Sequence, residues 1–548
     1  MKDATIGGLD ILASRPQGSE LVADYLAGEP RVAELFVGAP ADLDAYARKA
    51  REVAERLGAA QRRRIAGAIR ATTPAATSKL QRILDGTGAV VTTGQQAGLF
   101  GGPLYTVYKI LTAVRLARNL EVELGIPVAP LFWVAADDHD WAEANHVEVV
   151  DAANELRRAE LADDGAAHPM SARRLAADVE AVREMFIGWL PTTEFQAPLA
   201  ELLRSAYRPG RTVAAAFAEL VHGLFSEFDL LVVDPAHPDF KRAAASVLRR
   251  ELESSAEHTG LLEARAAELL ERGYHAQVTI ASDAANVLLD TEDGRDRLMR
   301  EDGRWLLRRS KRRIEDAELH GMLEREPWRF SPNVLLRPVV ESALLPTLAY
   351  VGGPAELSYF AQIGPLFKAH GIRPPVAHPR ASVVLVEAKV RKVLDKYGLV
   401  AADFAKPLHE LTTRVVRAEM PDPVVASLDA LRTSIRKRWD RLADSAQPVD
   451  PTLRGWIEAQ RNQALSQVES AEKKIASHLK KRSEITTQQL GKAAVNLYPG
   501  GSPQERTLNV LPYLARYGPR LLHAISAALP IEAGAAESAG HRTVQTEV

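Results

Sequence analysis

A glycine-rich loop followed by a helical pattern is the first stretch of this chain whose residues could do chemistry. The loop, TTGQQAGLFGGP, covers residues 92–103, and the helical pattern after it carries Lys109. Backbone N–H groups at a helix start, with the positive end of the helix dipole, favour an anion such as phosphate or carboxylate. Lys109, roughly two turns into the helix, could reach back to that anion. We therefore predict that the loop and the first turn bind substrate or nucleotide through Gly94, Gln95, Gln96, Gly98, Gly101, Gly102 and Tyr105.

A plainer interpretation of the same loop is a tight β–α connection, in which the glycines only permit close packing of the backbone. The loop matches neither GxGxxG nor GxxxxGK(S/T), so the generic nucleotide-binding motifs do not apply to it. Both interpretations stay open on the sequence alone.

The second candidate is the run DDHD (137–140), which follows the apolar stretch VAPLFWVAA. In an extended chain Asp138 and Asp140 point to one face and His139 to the other. His139 is the candidate catalytic base, because the ordinary pKa of histidine, about 6.5, lies near working pH. Asp138 and Asp140 would orient the substrate beside it. Two further polar residues lie close enough to join them across a turn, Asn145 and His146.

Asp138, Asp140 and His146 also carry donor atoms that bind metals, but their spacing matches no metal motif such as HExxH. We therefore predict no metal site here and favour hydrogen bonds to a polar substrate or a ribose. The structural alternative, with comparable support, is a loop that caps the next helix.

A second glycine turn, in TLAYVGGPAELSYFAQ (347–362), repeats the arrangement of a strand running into a helix start. Glu356 falls in the first turn of that helix and Tyr359 about one turn later. We predict that this turn forms the opposite wall of the binding site, with Arg337 as a further ligand contact. An internal ion pair between Arg337 and Glu341 is an equally good interpretation. The predicted wall residues are Gly352, Gly353, Glu356 and Tyr359.

The elements that must position these residues predict an α/β fold. The apolar runs at 89–91, 128–136 and 229–235 indicate buried strands, and 374–387 supplies a last one. An amphipathic pattern from Pro103 to about Leu124 predicts the helix that connects the first two strands. In such open parallel sheets, ligands bind at the carboxyl ends of the strands. The fold class is therefore a Rossmann-like parallel-sheet core over residues 86–415.

Several segments surround this predicted core. Residues 1–85 are predicted to be a helical segment packed on it, and an insertion at about 152–225 is predicted to be helical. Residues 275–309 contain EDG twice between short apolar runs, which predicts a small antiparallel β meander that begins with HAQVTI (275–280).

The C-terminal part of the chain changes character. Apolar residues at three- and four-residue spacing on two arms, joined by SAQPVDP, predict an antiparallel coiled-coil hairpin over 416–496. One hairpin covers such apolar seams poorly, so we predict a homodimer through the coiled coil. Residues 497–530 are predicted to dock back on the core, and residues 531–548 are predicted to form a disordered tail.

Composition excludes several functional classes. The 548 residues carry a net charge of −2, so no overall attraction to nucleic acid or to an anionic membrane is expected. No apolar run approaches the roughly 20 residues of a membrane span, and the N-terminus lacks a signal-peptide core. The chain has no cysteine, which rules out disulfides and cysteine nucleophiles. We predict a cytoplasmic protein.

Four motifs together resemble one family. TTGQQAGLFGGPLYTVYK, FWVAADDHDWAEANH, LLRPVVESALLPTLAYVGGPAELSYFAQ and LYPGGSPQERTLN occur in this order, with the coiled coil between the last two. Over nearly its whole length the chain resembles the cysteine-adding enzymes of bacillithiol biosynthesis. The resemblance implies a Rossmann-like core related to nucleotidylyltransferases and class I aminoacyl-tRNA synthetases, and a dimerising coiled coil. Two signatures of that wider group are absent, since GPLYTVYK stands in place of His-x-Gly-His and no KMSKS-like loop occurs.

The resemblance also implies a reaction, the joining of cysteine to the amine of glucosamine-malate. A free carboxylate must be activated first, so ATP or another nucleotide is expected, and the need for Mg²⁺ is left open. The catalytic residues are then predicted to be His139, Asp138, Asp140 and Lys109, with Lys109 as the cation near the leaving group. Two alternatives stay open: another nucleotidyl- or acyl-transfer enzyme acting on a small acid, and a non-catalytic dimeric protein that binds a nucleotide or sugar.

Overall fold

The computed structural model of the chain describes residues 2–418, 420–482 and 484–531. These residues form two compact units, one from the described residues of 2–385 and 505–531 and one from those of 386–504. The predicted disordered tail, 531–548, lies outside the described residues except for Ile531. Across the described part of the chain, no helix combines the length and apolarity needed to cross a membrane.

The strands are, in chain order, β1 (Lys2–Ile6), β2 (Leu9–Ser14), β3 (Ile69–Ala71), β4 (Ala89–Gln96), β5 (Val128–Ala135), β6 (His146–Val150), β7 (Leu156–Glu160), β8 (Leu231–Val233), β9 (Ala284–Thr291), β10 (Gly294–Glu301), β11 (Arg304–Leu307), β12 (Arg313–Ile314), β13 (Phe330–Pro332), β14 (Thr347–Gly352), β15 (Val376–Pro379) and β16 (Ser382–Glu387).

The α-helices are, in chain order, α1 (Glu20–Ala27), α2 (Leu43–Arg56), α3 (Ala59–Arg63), α4 (Pro74–Leu84), α5 (Leu104–Leu124), α6 (Trp141–Ala144), α7 (Asp178–Trp189), α8 (Gln196–Ala206), α9 (Val213–Leu224), α10 (Pro238–Glu253), α11 (Ser255–Glu271), α12 (Asp316–Arg325), α13 (Arg337–Leu344), α14 (Pro354–Ala369), α15 (Ala388–Tyr397), α16 (Leu408–Ala418), α17 (Asp422–Ala446), α18 (Leu453–Arg482), α19 (Glu484–Leu497), α20 (Gln504–Thr507), α21 (Leu511–Tyr517) and α22 (Arg520–Ala528).

A six-stranded sheet of order β15-β14-β4-β5-β8-β3 forms the centre of the first unit. Its strands are parallel except β3, which pairs antiparallel with β8 at the edge. Both faces are covered, since Val91 and Phe132 belong to one buried cluster and Val90 and Leu131 to another. Strands buried on both sides need continuous apolar runs, which the sequence supplies. The predicted Rossmann-like parallel core is therefore confirmed.

Helix α5 makes the connection from β4 to β5 that the sequence predicted. It begins one residue after Pro103, which takes the cap position, and ends at Gly125 in the left-handed conformation (φ 65°). Its burial extends beyond the predicted apolar stripe to Thr106, Lys109 and Thr112. Helix α5 packs on β4 and β5 of the central sheet, and it also packs on helix α22 near the end of the described chain. The helix is therefore an internal element of the unit.

The predicted helical segment over residues 1–85 does contain α1 to α4, but it also contains three strands that the sequence analysis did not predict. Strands β1 and β2 form an antiparallel hairpin with Ile6 opposite Leu9, and β3 adds a short edge strand to the central sheet. The hairpin turn consists of Gly7 and Gly8, which both have positive φ (54° and 80°). Two glycines between alternating apolar residues are a hairpin signal, so the local sequence did carry this information.

Three further sequence predictions need correction. The predicted helical insertion at about 152–225 contains the strand β7, which pairs antiparallel with β6. The β meander begins at Ala284, because residues 275–280 form no strand, and it continues through β12 and β13. Its two EDG turns do join β9 to β10 and β10 to β11. The last strand, predicted over 374–387, divides at Arg380 into β15 and β16, which belong to different sheets.

The second unit contains the predicted coiled-coil hairpin, formed by α17 and α18. Its apolar seam includes Met420, Leu428, Val468 and Ala476. An ion pair of 2.5 Å between Arg432 and Glu472 links the two arms beside this seam. The unit also includes α15 and α16, which pack on α19, and it therefore starts before the segment 416–496 that the sequence indicated.

Helix α5 offers a test of the packing in the first unit. Leu111 is completely buried, whereas Val122 in the same helix is 80% exposed. We expect Leu111→Ala to lower the free energy of unfolding by about 2–5 kcal/mol, because it leaves a cavity in the core. Val122→Ala is the matched control and should change it by less than about 0.5 kcal/mol. Urea unfolding followed by circular dichroism measures both, and equal effects of the two substitutions would contradict the burial of α5.

Candidate active site

A cavity of about 610 Å³ lies in the first unit, at the carboxyl ends of the parallel strands. Gln95 and Gln96 end β4, Asp138 and His139 follow β5, and Gly353 follows β14. This is the edge at which an open parallel sheet binds ligands. The volume lies within the range of about 300–1,000 Å³ that is usual for small-molecule sites. The predicted site residues that line the cavity are Gly94, Gln95, Gln96, Tyr105, Lys109, Asp138, His139, Arg337, Gly353, Glu356 and Tyr359.

The two predicted walls of the site are joined by an ion pair between Lys109 and Glu356. Lys109 Nζ lies 2.5 Å from Glu356 Oε2, and it donates to the carbonyl oxygen of Gly94 and to Gln95 Oε1, each at 2.9 Å. A lysine ammonium has three N–H donors, and all three are engaged. Lys109 therefore holds the end of β4 against the start of α14, and its ammonium has no donor left for a leaving group.

Glu356 receives two further hydrogen bonds. The Tyr350 hydroxyl donates to Oε1 at 2.5 Å, and the backbone N–H of Gly353 donates to Oε2 at 2.8 Å. Burial raises the pKa of Glu356, but the charge of Lys109 and these hydrogen bonds outweigh burial, so the pKa lies below its ordinary value. Glu356 is therefore an ionised cap of α14. Gly352 does not line the cavity, and a side chain there would collide with Glu356, since its Cβ would lie 2.9 Å from that of Glu356.

Arg337 forms the internal ion pair that the sequence left open, and it lines the cavity as well. Its Nη1 lies 2.7 Å from Glu341 Oε2, and Thr92 donates to the other carboxylate oxygen. The guanidinium group lies over the rings of Trp133 and Tyr350, 5.6 and 4.9 Å from their centroids. Arg337 is thus held in place from several sides.

The glycine loop itself does not form the predicted anion cradle. The N–H groups of Gly98, Gly101 and Gly102 donate to the carbonyl oxygens of Gln96, Gly98 and Leu99, so all three are engaged inside the loop. Gly101 and Gly102 have φ of 95° and 67°, which glycine adopts without strain. Asn509 donates to the carbonyl oxygens of Phe100 and Gly102. The plainer interpretation, a tight β–α connection, describes these three glycines, and only Gly94 of the predicted four reaches the cavity.

The DDHDWAEANH segment divides between the cavity and the scaffold. Asp138 and His139 line the cavity, whereas Asp140 caps α6 by accepting the N–H of Glu143 at 3.1 Å. Asn145 is buried and donates to the carbonyl oxygen of Leu161, and His146 contacts Asn145. Asp140, Asn145 and His146 do not line the cavity, and the helix-capping alternative therefore describes Asp140.

His139 sits against Arg295, which the sequence did not single out. Arg295 Nη1 lies 3.3 Å from His139 Nδ1, and Arg295 also donates to Ser331 Oγ and to the carbonyl oxygen of Pro332. Burial and the charge of Arg295 lower the pKa of His139, so the ring is neutral at pH 7. Because an arginine N–H can only donate, Nδ1 acts as the acceptor and the ring proton is on Nε2. His139 is thereby oriented as a hydrogen-bond donor.

Besides Arg295, three charged residues of the cavity escaped the sequence analysis, although each belongs to a quoted motif or to the predicted meander. Glu143 lies at the exposed rim, and its pKa is raised by burial and by the neighbouring Asp140 and Asp138. Arg297 and Arg506 also line the cavity. Within the described residues, the guanidinium groups of Arg297 and Arg506 have no hydrogen-bond or ion-pair partner. Glu143 in DDHDWAEANH and Arg506 in LYPGGSPQERTLN were detectable as charged members of specific motifs.

Arg380 is a further cavity residue that the sequence analysis missed, and its charge is neutralised. It makes a two-pronged contact with Glu505, with distances of 2.9 and 2.6 Å, and Ser382 donates to the same carboxylate. The cavity thus contains arginines held by internal carboxylates, Arg295 held by Ser331 and the Pro332 carbonyl oxygen, and two arginines without a partner among the described residues.

Comparison with known proteins agrees with this architecture. Residues 9–381 match the family model described as bacillithiol biosynthesis BshC, N-terminal Rossmann-like domain, and residues 383–535 match the BshC C-terminal coiled-coil domain. A protein of Salinibacter ruber named "Putative cysteine ligase BshC" is 37% identical over 84% of this chain and 85% of its own length. Proteins of the same name from Solibacter usitatus and Koribacter versatilis are 34% and 33% identical, each over 92% of this chain and 94% of theirs.

The order of the two domains, the motifs around the cavity and the near-complete coverage of these relatives agree with one another. The chain therefore belongs to the BshC family of bacillithiol biosynthesis, the cysteine ligases.

Proposed function

We propose that this ligase joins the carboxyl group of cysteine to the amine of glucosamine-malate inside the 610 Å³ cavity, after ATP has activated the carboxyl group. The observation that carries the proposal is the pair of unpartnered guanidinium groups, Arg297 and Arg506, on a cavity that also bears carboxylates. Both carboxylates of malate and the phosphates of ATP are anions that such groups bind. The names of the relatives support the cysteine half of the reaction.

ATP can activate the carboxyl group of cysteine in either of two ways. Attack of the cysteine carboxylate on the α-phosphorus of ATP gives an acyl adenylate and pyrophosphate, and attack on the γ-phosphorus gives an acyl phosphate and ADP. In both cases the amine of glucosamine-malate then attacks the activated carbonyl carbon, loses a proton to a base, and expels AMP or phosphate. The residues must therefore supply a donor for the developing oxyanion and an acceptor for the amine proton.

His139 and Glu143 suit these two roles. His139, with its proton on Nε2, would donate to the carbonyl oxygen as negative charge develops on it. Glu143, four residues along the same segment, would accept the proton of the amine, for which a carboxylate of raised pKa is better matched than an ordinary one. Lys109 would act by positioning Gln95 and Glu356, since its donors are engaged. Asp138 accepts the backbone N–H groups of His139 and Asp140, and would keep this segment in place.

Product analysis tests the reaction as a whole. Purified protein incubated with cysteine, glucosamine-malate and ATP is expected to form the amide, together with AMP or ADP in equal amount. Nucleotide release without the amide would point to another nucleotidyl- or acyl-transfer reaction, and neither product would point to a binding protein. Mass spectrometry of the products distinguishes the three.

The unpartnered arginines give a sharper prediction. Arg297→Ala and Arg506→Ala should each raise the KM of an anionic substrate about 10- to 100-fold. The reason is that a hydrogen bond to a charged group contributes about 1.5–3 kcal/mol to binding. The value of kcat should change far less. Arg520→Ala, which removes an exposed arginine outside the cavity, is the control. Unchanged KM values for all three substrates in both variants would contradict the assignment.

Steady-state kinetics over pH separate the roles of Glu143 and His139. A base must be ionised, and the pKa of Glu143 lies above the ordinary glutamate value, so kcat/KM should fall as pH falls through that raised pKa. Glu143→Gln should lower kcat about 10²- to 10⁴-fold and remove this acidic limb. His139→Ala should lower kcat while the limb persists. Glu155→Gln, on an exposed residue outside the cavity, should change neither. Loss of the limb in His139→Ala alone would restore His139 as the base.

We also propose that the coiled coil mediates a homodimer. Leu431, Leu442 and Trp456 on its two arms are 48%, 49% and 61% exposed, which leaves apolar surface for a partner. Wild-type protein should have the mass of a dimer in light scattering, and Leu431→Glu with Leu442→Glu should have that of a monomer. Gln463→Glu, which adds a charge at an exposed polar position, is the control. A monomeric wild-type protein would disprove the proposal.

A further inference from the structure

Three buried side chains in the first unit, none of them among the predicted site residues, converge on one point. They are Glu251, His258 and His370, whose side chains are 0%, 3% and 3% exposed. One oxygen or nitrogen atom of each lies within 4.8 Å of the other two. Glu251 Oε2 is 2.6 Å from His258 Nδ1 and 3.2 Å from His370 Nε2. Ionisable side chains are rarely buried to this extent without a specific partner.

The helices explain why these three meet. Helices α10 and α11 are separated only by Ser254, whose φ of −111° and ψ of 20° interrupt the helical path. Glu251 and His258 lie on either side of this bend. His370 is the C-cap residue of α14, which packs on α11. The cluster therefore joins segments that are distant in the chain.

A hydrogen-bonded support fixes the carboxylate of this cluster. Asn286, on β9, donates to Glu251 Oε1 at 2.7 Å, and its own carbonyl oxygen accepts from Asn333 at 2.8 Å. Oε1 is thereby engaged, and Oε2 is the oxygen that faces both imidazole rings. Support of a ligating carboxylate by a neighbouring donor is usual around protein metal sites. Asn286 and Asn333 also line the large cavity, so they connect the cluster to its wall.

We propose that Glu251, His258 and His370 bind one divalent transition-metal ion, with Zn²⁺ as the preferred ion. Two imidazole nitrogens and one carboxylate oxygen are a ligand set that Zn²⁺ accepts, whereas Mg²⁺ and Ca²⁺ prefer oxygen ligands. The ion would neutralise a carboxylate that is otherwise shut off from water. Because the cluster is closed to solvent, the ion serves to hold α10, α11 and α14 together.

The distances require only a small adjustment. Tetrahedral Zn²⁺ with bonds of about 2.0–2.2 Å places its ligand atoms roughly 3.3 Å apart. The Glu251–His370 distance of 3.2 Å already matches this value. The Glu251–His258 distance of 2.6 Å would have to increase by less than about 1 Å. The His258 and His370 nitrogen atoms lie within 4.8 Å of each other and would have to approach to about the same ligand spacing.

Metal analysis of the full chain, purified without a histidine tag, tests the site. We expect one equivalent of Zn²⁺ per chain by mass spectrometry of the metal content. Removal of Zn²⁺ by a chelator should lower the melting temperature, and added Zn²⁺ should restore it, because an ion that binds only the folded state stabilises it. Co²⁺ in place of Zn²⁺ should give visible absorption bands typical of nitrogen and oxygen ligands.

Ligand variants show whether these residues hold the ion. Glu251→Gln and His258→Asn should each weaken Zn²⁺ binding by at least about 10-fold. His275→Asn, which removes an exposed histidine of the same unit, should retain one equivalent. Wild-type protein that takes up no Zn²⁺, and whose melting temperature does not respond to it, would show a purely hydrogen-bonded cluster and overturn the proposal. This wild-type measurement decides the matter even if the variants fail to fold.

Discussion

The ion pair between Lys109 and Glu356 is the interaction on which the geometry of the cavity depends. It joins a residue of α5 to the first turn of α14, and through Gly94 and Gly353 it fixes the ends of two neighbouring parallel strands. The Lys109 side chain is 4% exposed and that of Glu356, which faces the cavity, 20%, so loss of Glu356 would leave the lysine as a buried charge. Breaking such a pair destabilises a protein by about 3–5 kcal/mol. The site is thus rigid where the two strands end.

The same principle explains how the remaining charges are distributed. Arg337 and Arg380 each face the cavity, but Glu341 and Glu505 neutralise them from behind. Fixed in this way, their planar groups can present a surface to a ligand without moving. Arg297 and Arg506 differ because no carboxylate among the described residues contacts them. An anionic ligand would supply the missing acceptor for their guanidinium groups.

Residues 505–509 complete a cavity lining whose first residue in chain order is Gly94. Glu505 forms an ion pair with Arg380, and Arg506 lines the cavity. The Asn509 side-chain amide donates to the carbonyl oxygens of Phe100 and Gly102 in the glycine loop. The last five residues of the motif LYPGGSPQERTLN, 505–509, therefore contribute to the cavity lining and to its support. The site forms only when distant segments of the first unit have come together, because its hydrogen bonds join residues 125 and 407 positions apart.

The sequence by itself determined the parallel core, the helix after β4, the two EDG turns of the meander and the coiled-coil hairpin, because periodicity and turn chemistry are local properties. The sequence also indicated which segments meet, since the ends of β4, β5 and β14 line one cavity. Only the tertiary structure decided which groups there are free. The loop amides are engaged within the loop, Lys109 is engaged by Glu356, and His139 is oriented by Arg295. Each of these outcomes depends on a partner's position in space, which spacing along the chain does not encode.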